Sequence, residues 1–148
     1  MRKVACSDPV IIVDSREQRP YEFTGALVRA LPAGDYSLLG REDEIAIERK
    51  THADAYGSIG ARRDRFEREL ETLAGYDYAA IVIECSLPEF LKPPLLSQVH
   101  PRSAIGSLLA WSVRHRLPVF FVGDRAHGEA VTWHLLTKFA KEREKPRG

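Results

Sequence analysis

The chain has 148 residues, 44% hydrophobic and 29% charged, which suits one ordinary domain with a buried core and is too short for two of typical size. No apolar run is long enough to span a bilayer and no secretory pattern opens the chain, which predicts an intracellular protein, of the cytoplasm or of the nucleoid or nucleus, with no membrane partner. Cys6 and Cys85 form no CxxC pair, so spacing supports neither a zinc site nor a disulfide framework, and 22 basic against 21 acidic side chains leave a net charge of +1, so any surface for a polyanion has to be local.

Both cysteines read as reduced structural thiols. Val10-Ile11-Ile12-Val13 is β-branched and apolar and predicts a buried strand emptying into the polar loop Asp14-Ser15-Arg16-Glu17. Thr24 precedes a short helical stretch, Gly25 to Ala30, stopped by Leu31-Pro32 because a residue before proline is driven out of the helical region. Gly34-Asp35 opens Tyr36 to Leu39, a turn follows at Gly40 to Asp43, and Glu44 to Glu48 alternates as a second strand, together predicting an antiparallel hairpin with both acidic residues at its open end. From Ile59 to Ala74 the residues Ile59, Phe66, Leu70 and Leu73 share one helical face, and Gly75 ends that helix.

Tyr78 to Ile83 is a continuous apolar strand ending at Glu84-Cys85. Ser103 to His115 predicts a helix with Ile105, Leu108, Leu109 and Ser112 or Val113 inward, Pro118 to Val122 a buried strand, and Asp124 or Ala126 the start of a last helix reaching about Lys141. The mixed-charge run from Lys138 to Arg147 reads as a solvated helix end that frays. Strands interleaved with helices predict an α/β single domain with a central mixed β-sheet flanked by α-helices.

Asp35 and Glu48, on paired strands, can converge on one divalent cation, and the carbonyl of Arg49 can add a third oxygen ligand. Mg²⁺ suits so sparse a protein shell because it keeps several waters, and Mn²⁺ can substitute. Lys50 projects from the same strand face as Glu48 by the period of two, bringing an ammonium beside a metal-bound water. Such a group has the parts that phosphodiester hydrolysis needs: an activated water, charge neutralisation and stabilisation of the leaving oxygen. Taken singly, Asp35 reads equally as a turn aspartate and Glu48-Arg49-Lys50 as a solvated strand end.

The Asp and Glu-x-Lys spacing is that of the PD-(D/E)XK nuclease superfamily, and a longer string is more specific. Val13-Asp14-Ser15-Arg16-Glu17, then Gly34-Asp35-Tyr36, then Ile47-Glu48-Arg49-Lys50-Thr51-His52-Ala53-Asp54, Ser58-Ile59 and the helix with Arg62 and Arg65-Phe66 resemble the nuclease domain of the XPF and Hef type of structure-specific DNA endonucleases. The resemblance covers nearly the whole chain, residues 1–148, and implies a restriction-endonuclease-like fold and Mg²⁺-dependent cutting of forked or flapped DNA in repair or recombination. It implies Asp35 and Glu48 as metal ligands, Asp14 near the metal, Lys50 as the catalytic lysine, and Arg49 contacting phosphate or pairing with a carboxylate. It further implies Asp54 bracing the loop after the strand, and Arg16 and Glu17 in the family's first acidic loop, with Arg16 contacting DNA and Glu17 completing the motif.

The tandem helix-hairpin-helix region of many relatives does not appear, so the chain is expected to be either a nuclease domain of a longer protein or a compact version. In relatives the late helices make a dimer contact, so Ser103 to His115 and Asp124 to Lys141, with Trp111 and Trp133, can form a homodimer face or equally well plain core packing. Arg62 and Arg65 read as phosphate contacts or as a salt-bridged amphipathic face, since Asp64, Glu67, Glu69 and Glu71 nearly cancel them. No histidine has spacing or neighbours that assign it a role. The competing function is a non-catalytic DNA-binding or scaffold subunit of a nuclease complex, which typically lacks the acidic and lysine positions present here.

Overall fold

Two apolar clusters, one on each face of a six-stranded sheet, hold the chain together in a computed structural model that describes residues 8–146. The strands are β1 (Ile11–Asp14), β2 (Leu27–Arg29), β3 (Tyr36–Leu38), β4 (Ile45–Lys50), β5 (Tyr78–Ile83) and β6 (Val119–Phe121), in the order β2-β1-β3-β4-β5-β6. The helices are α1 (His52–Ile59), α2 (Arg63–Ala74), α3 (Leu87–Phe90), α4 (Pro101–His115) and α5 (Arg125–Glu144). The hairpin β3–β4 and the pair β1–β3 are antiparallel, whereas β4–β5, β5–β6 and β1–β2 are parallel. The mixed α/β architecture expected from the sequence is therefore the one observed.

Strand alternation decides which residue meets which helix layer. Ala46, Ile81 and Ile83 face α1, α2 and α4, where Phe66, Leu70, Leu73, Leu108 and Trp111 fill the layer. Ile45, Ile47, Ala80 and Val82 face the opposite way onto Leu136 and Ala140 of α5, together with Tyr21 and Tyr36. Each large apolar side chain so removed from water contributes roughly 1.5–3 kcal/mol. By the same period Glu48 and Lys50 emerge on the α2 side of the sheet and Arg49 on the α5 side.

Four sequence expectations need correction. Leu27–Arg29 is strand, not helix, because a stretch of six residues cannot offset helix nucleation while the open edge of β1 offers parallel partners at Leu27, Val28 and Arg29. The helix expected from Ile59 to Ala74 is two: α1 ends at Ile59, and Gly60 to Arg62 turn the chain into α2. The small residues of His52–Ile59 hide α1 from periodicity, yet the Thr51 hydroxyl accepts the Asp54 amide as a cap, worth about 1 kcal/mol. On α4 the inward face is Ala104, Leu108 and Trp111; Leu109 is half exposed and Val113 is 81% exposed. Trp111, 1% exposed under Arg63, is thereby removed from any dimer face, while Trp133 is half-buried on the other layer.

The remaining boundaries shift little. The four-residue α3, closed by a Ser86–Glu89 capping box, has no counterpart in the sequence reading. The charged tail stays helical to Glu144, its Lys145–Glu142 and Arg143–Asp77 ion pairs lying on the surface. Cys85 is a buried free thiol whose burial pushes it up to about 11, and Cys6 lies outside the described residues.

Candidate active site

The site forms where three strand ends are tied side by side. The Asp14 amide donates to the Asp35 carbonyl at 2.8 Å and the Asp35 amide to the Ile47 carbonyl at 2.9 Å. Gly34 permits this turn: its φ is +74°, and a Cβ there would lie 2.9 Å from the Ala46 Cβ and 3.3 Å from the Ile47 carbonyl oxygen. The Asp35 carboxylate then accepts the Arg49 amide at 2.8 Å, which locks its direction across the hairpin.

Asp14, Arg16, Asp35, Glu48, Lys50 and Arg65 line one cleft of about 270 Å³ between the sheet end and α2. Asp35 and Glu48 lie carboxyl beside carboxyl, and Glu48 is only 7% exposed. Burial pushes Asp35 up to about 6, with Glu17 adding to the effect, and burial plus the neighbouring Asp35 pushes Glu48 well up. Two carboxyls forced together away from water share a proton, and an all-oxygen pair of this kind fits a hard divalent cation in the proton's place. Lys50 Nζ lies 4.0 Å from Glu48 Oε1 and 4.8 Å from the centre of the Phe66 ring, so its stem is braced and its charge faces the pair.

Asp14 is differently occupied. Its carboxylate accepts Arg16 Nε at 2.9 Å, Arg16 Nη2 at 3.0 Å and the Leu31 amide at 2.9 Å. Burial opposes its ionisation, yet these donors hold the carboxyl below its ordinary value. Among the described residues no three His, Cys, Asp or Glu side chains are grouped to hold a metal, so the adjacent carboxylates are the pair Asp35 and Glu48. Arg62 and Arg65 flank Lys50 in an adjoining hollow with Glu69, and Arg65 Nε pairs with Glu69 at 3.4 Å. The Arg62 guanidinium lies against Gly57 and makes no ion pair among the described residues.

On the other face of the sheet Arg49 is 9% exposed and fully engaged. Its Nε and Nη2 donate to Glu84 at 2.9 and 3.3 Å, its Nη1 to Glu17 at 3.1 Å and to the Arg19 carbonyl at 2.6 Å, and its guanidinium lies 4.4 Å from the Tyr21 ring centre. Tyr21 donates to Glu84 and Tyr36 donates to Glu17, which pushes both phenols up on top of their burial. Gly128 of α5 leaves room for the Tyr21 hydroxyl, since a Cβ there would lie 2.3 Å from it.

Asp54, read from the sequence as bracing a loop, is exposed in the first turn of α1 because the chain is already helical there. His52 begins that helix with its ring against Tyr56 and Phe90 and its buried Nε2 without a hydrogen-bond partner among the described residues. Sequence reasoning assigned no role to Glu84, Tyr21 or Arg125, whereas the Arg65–Glu69 pair is the salt-bridged alternative it named. Glu84 carried a signal, an acidic residue closing an apolar strand, but only the parallel β4–β5 register brings it to Arg49.

Residues 13–133, which include every residue named in the two charged clusters, match the ERCC4 domain. The chain belongs to the ERCC4 domain family. This ERCC4 domain is similar to solved XPF of Aeropyrum pernix, with 26% identity and a TM-score of 0.67 over 91% of this chain and 66% of that one. It is similar also to XPF from Aeropyrum pernix in complex with DNA, with 25% identity and a TM-score of 0.67 over 94% and 68% of the two chains. The sheet and its flanking helices are thus the restriction-endonuclease-like fold of the XPF nuclease domain. No curated protein matches the chain. Among the described residues no helix is long and apolar enough to cross a membrane.

Proposed function

We propose that this ERCC4 domain is a metal-dependent DNA endonuclease that hydrolyses phosphodiesters near junctions of duplex and single-stranded DNA, such as forks and flaps. The observation that carries the reading is the buried Asp35–Glu48 carboxyl pair beside Lys50 in a cleft open to a strand. Mg²⁺ or Mn²⁺ held by Asp35, Glu48 and the Arg49 carbonyl, with Asp14 close by, would supply an activated water and neutralise charge on the scissile phosphate. Lys50, fixed by Phe66, orients that water or offsets phosphate charge. Arg16, Arg62 and Arg65 take backbone phosphates; such contacts position a substrate without reading sequence, so preference for a branch comes from backbone shape. The Arg49 side chain, with Glu17 and Glu84, holds the end of β4 in place, and Asp54 stands at the rim of the α5-side cleft.

A forked, a flapped, a nicked and a linear duplex, each with and without EDTA, test the reading. Cleavage of the branched substrates that depends on the divalent ion and vanishes in Asp35→Ala, Glu48→Ala and Lys50→Ala supports it; full activity in all three variants defeats it. The second reading, a DNA-binding scaffold, requires no divalent ion, so calorimetric titration with Mg²⁺ separates the two. A homodimer through α5 and the exposed side of α4, where Leu109 and Val113 stand in water, belongs to the same proposal and is tested by sedimentation of Val113→Glu.

A further inference from the structure

A second cleft of about 510 Å³ opens at the same end of the sheet but on the α5 side, lined by Arg16, Gln18, Arg19, Arg49, Thr51 and Arg125 with Glu17, Asp54 and Glu84. Its charges are unequal once partners are assigned. Glu17 and Glu84 are committed to Arg49 and to the tyrosine hydroxyls, and Arg16 to Asp14. That leaves Arg19 and Arg125 without a carboxylate partner among the described residues, with Asp54 at the rim the remaining acid of the lining.

Arg125 is moreover held ready. Its Nη1 donates to the Arg19 carbonyl at 2.8 Å, its Nη2 to the Pro20 carbonyl at 2.6 Å, and its guanidinium lies 5.3 Å from the Tyr21 ring centre. A guanidinium fixed by carbonyls, with no counter-ion, loses little entropy on meeting an anion. Arg16 lines both clefts and stands 70% exposed between them at the strand ends.

We propose that the second cleft is a phosphate subsite: the strand being cut crosses the sheet end over Arg16, and a backbone phosphate neighbouring the scissile one rests on Arg19 and Arg125. This rests on the nuclease reading, and it adds to it a direction for the strand, from the α2 face to the α5 face.

The test uses the full chain carrying Asp35→Asn, so that binding of forked DNA is read without cutting, across roughly 50–200 mM salt. Arg19→Ala and Arg125→Gln should each weaken binding and lower the slope of log affinity against log salt by about one unit, whereas Lys138→Ala, further along α5, should not. A scan with single uncharged methylphosphonate linkages should find one position that reproduces the loss in the parent protein and adds nothing in Arg19→Ala. Unchanged affinity and slope in both variants, or losses indifferent to every neutral linkage, overturn the subsite. If Arg125→Gln fails to fold because it anchors the Arg19–Pro20 carbonyls, Arg19→Ala decides alone, since its side chain makes no hydrogen bond or ion pair among the described residues. A wild-type protein that binds but never cuts counts against the nuclease reading alone; one that cuts with Arg19 and Arg125 silent counts against the subsite alone; one that does not bind counts against both.

Discussion

At the end of β4, consecutive residues serve opposite electrostatic regimes. On the α2 face Glu48 and Asp35 are two carboxyls pressed together with one lysine nearby, so they hold protons at a pH where carboxylates are normally ionised. On the α5 face Arg49 meets Glu84 and Glu17, with tyrosine hydroxyls completing their lone pairs, so the charges there are answered within the protein. The first face concentrates like charge that burial and proximity disfavour; the second gives the strand end rigidity. Pinning Arg49 fixes the backbone whose next turns of the pleat aim Glu48 and Lys50.

Experiments that break either face should give different signatures. Removing Asp35, Glu48 or Lys50 as alanine is expected to cut the cleavage rate by about 100-fold or more while the protein stays folded, measured as single-turnover nicking with circular dichroism alongside. Glu84→Ala removes one of the two carboxylates on a buried guanidinium, leaving Glu17, and should cost about 1.5–3 kcal/mol in urea unfolding, with Glu84→Gln intermediate; a loss below that of an ordinary surface mutation would show that Arg49 is not pinned by Glu84. Gly34→Ala forces a side chain into positive φ against Ala46 and should lose about 1–3 kcal/mol in the same assay, together with cleavage, because Asp35 is displaced.

Smaller effects sharpen the contrast. Asp35 titrates near 6 in the folded protein against an ordinary 3.8, so the folded state binds its proton more tightly than the unfolded chain does. Its contribution to stability therefore falls as pH rises through that interval, and in EDTA the melting temperature of the wild type should drop relative to Asp35→Asn between about pH 4 and about pH 7. Added Mg²⁺ should recover more of it at the upper end than at the lower. Smallest of all, Arg62→Ala should leave the fold intact and lower the salt slope of DNA binding by about one unit. An unchanged slope would show that Arg62 touches no phosphate.

The grouping of charged side chains on the α2 face was legible residue by residue. Gly34-Asp35 and Glu48-Arg49-Lys50 needed only strand alternation and a hairpin to come together, both short-range consequences of the sequence, and the apolar runs of β1 and β5 announced strands buried on both faces. Other features required the folded chain. Leu27–Arg29 became strand because β1 had an unpaired edge, α1 was set by a cap and a layer to pack on, and Trp111 turned inward where Leu109 and Val113 had looked equally apolar. Asp14, alike in sequence to a ligand, was claimed by Arg16 and the Leu31 amide. Glu84, Tyr21 and Arg125 lie 35, 28 and 76 residues from Arg49 and met around it only through the parallel register of β5 and the seat that Gly128 leaves on α5. Local sequence sets side-chain direction; which charge answers which depends on contacts between distant segments, and those exist only once the layers have closed.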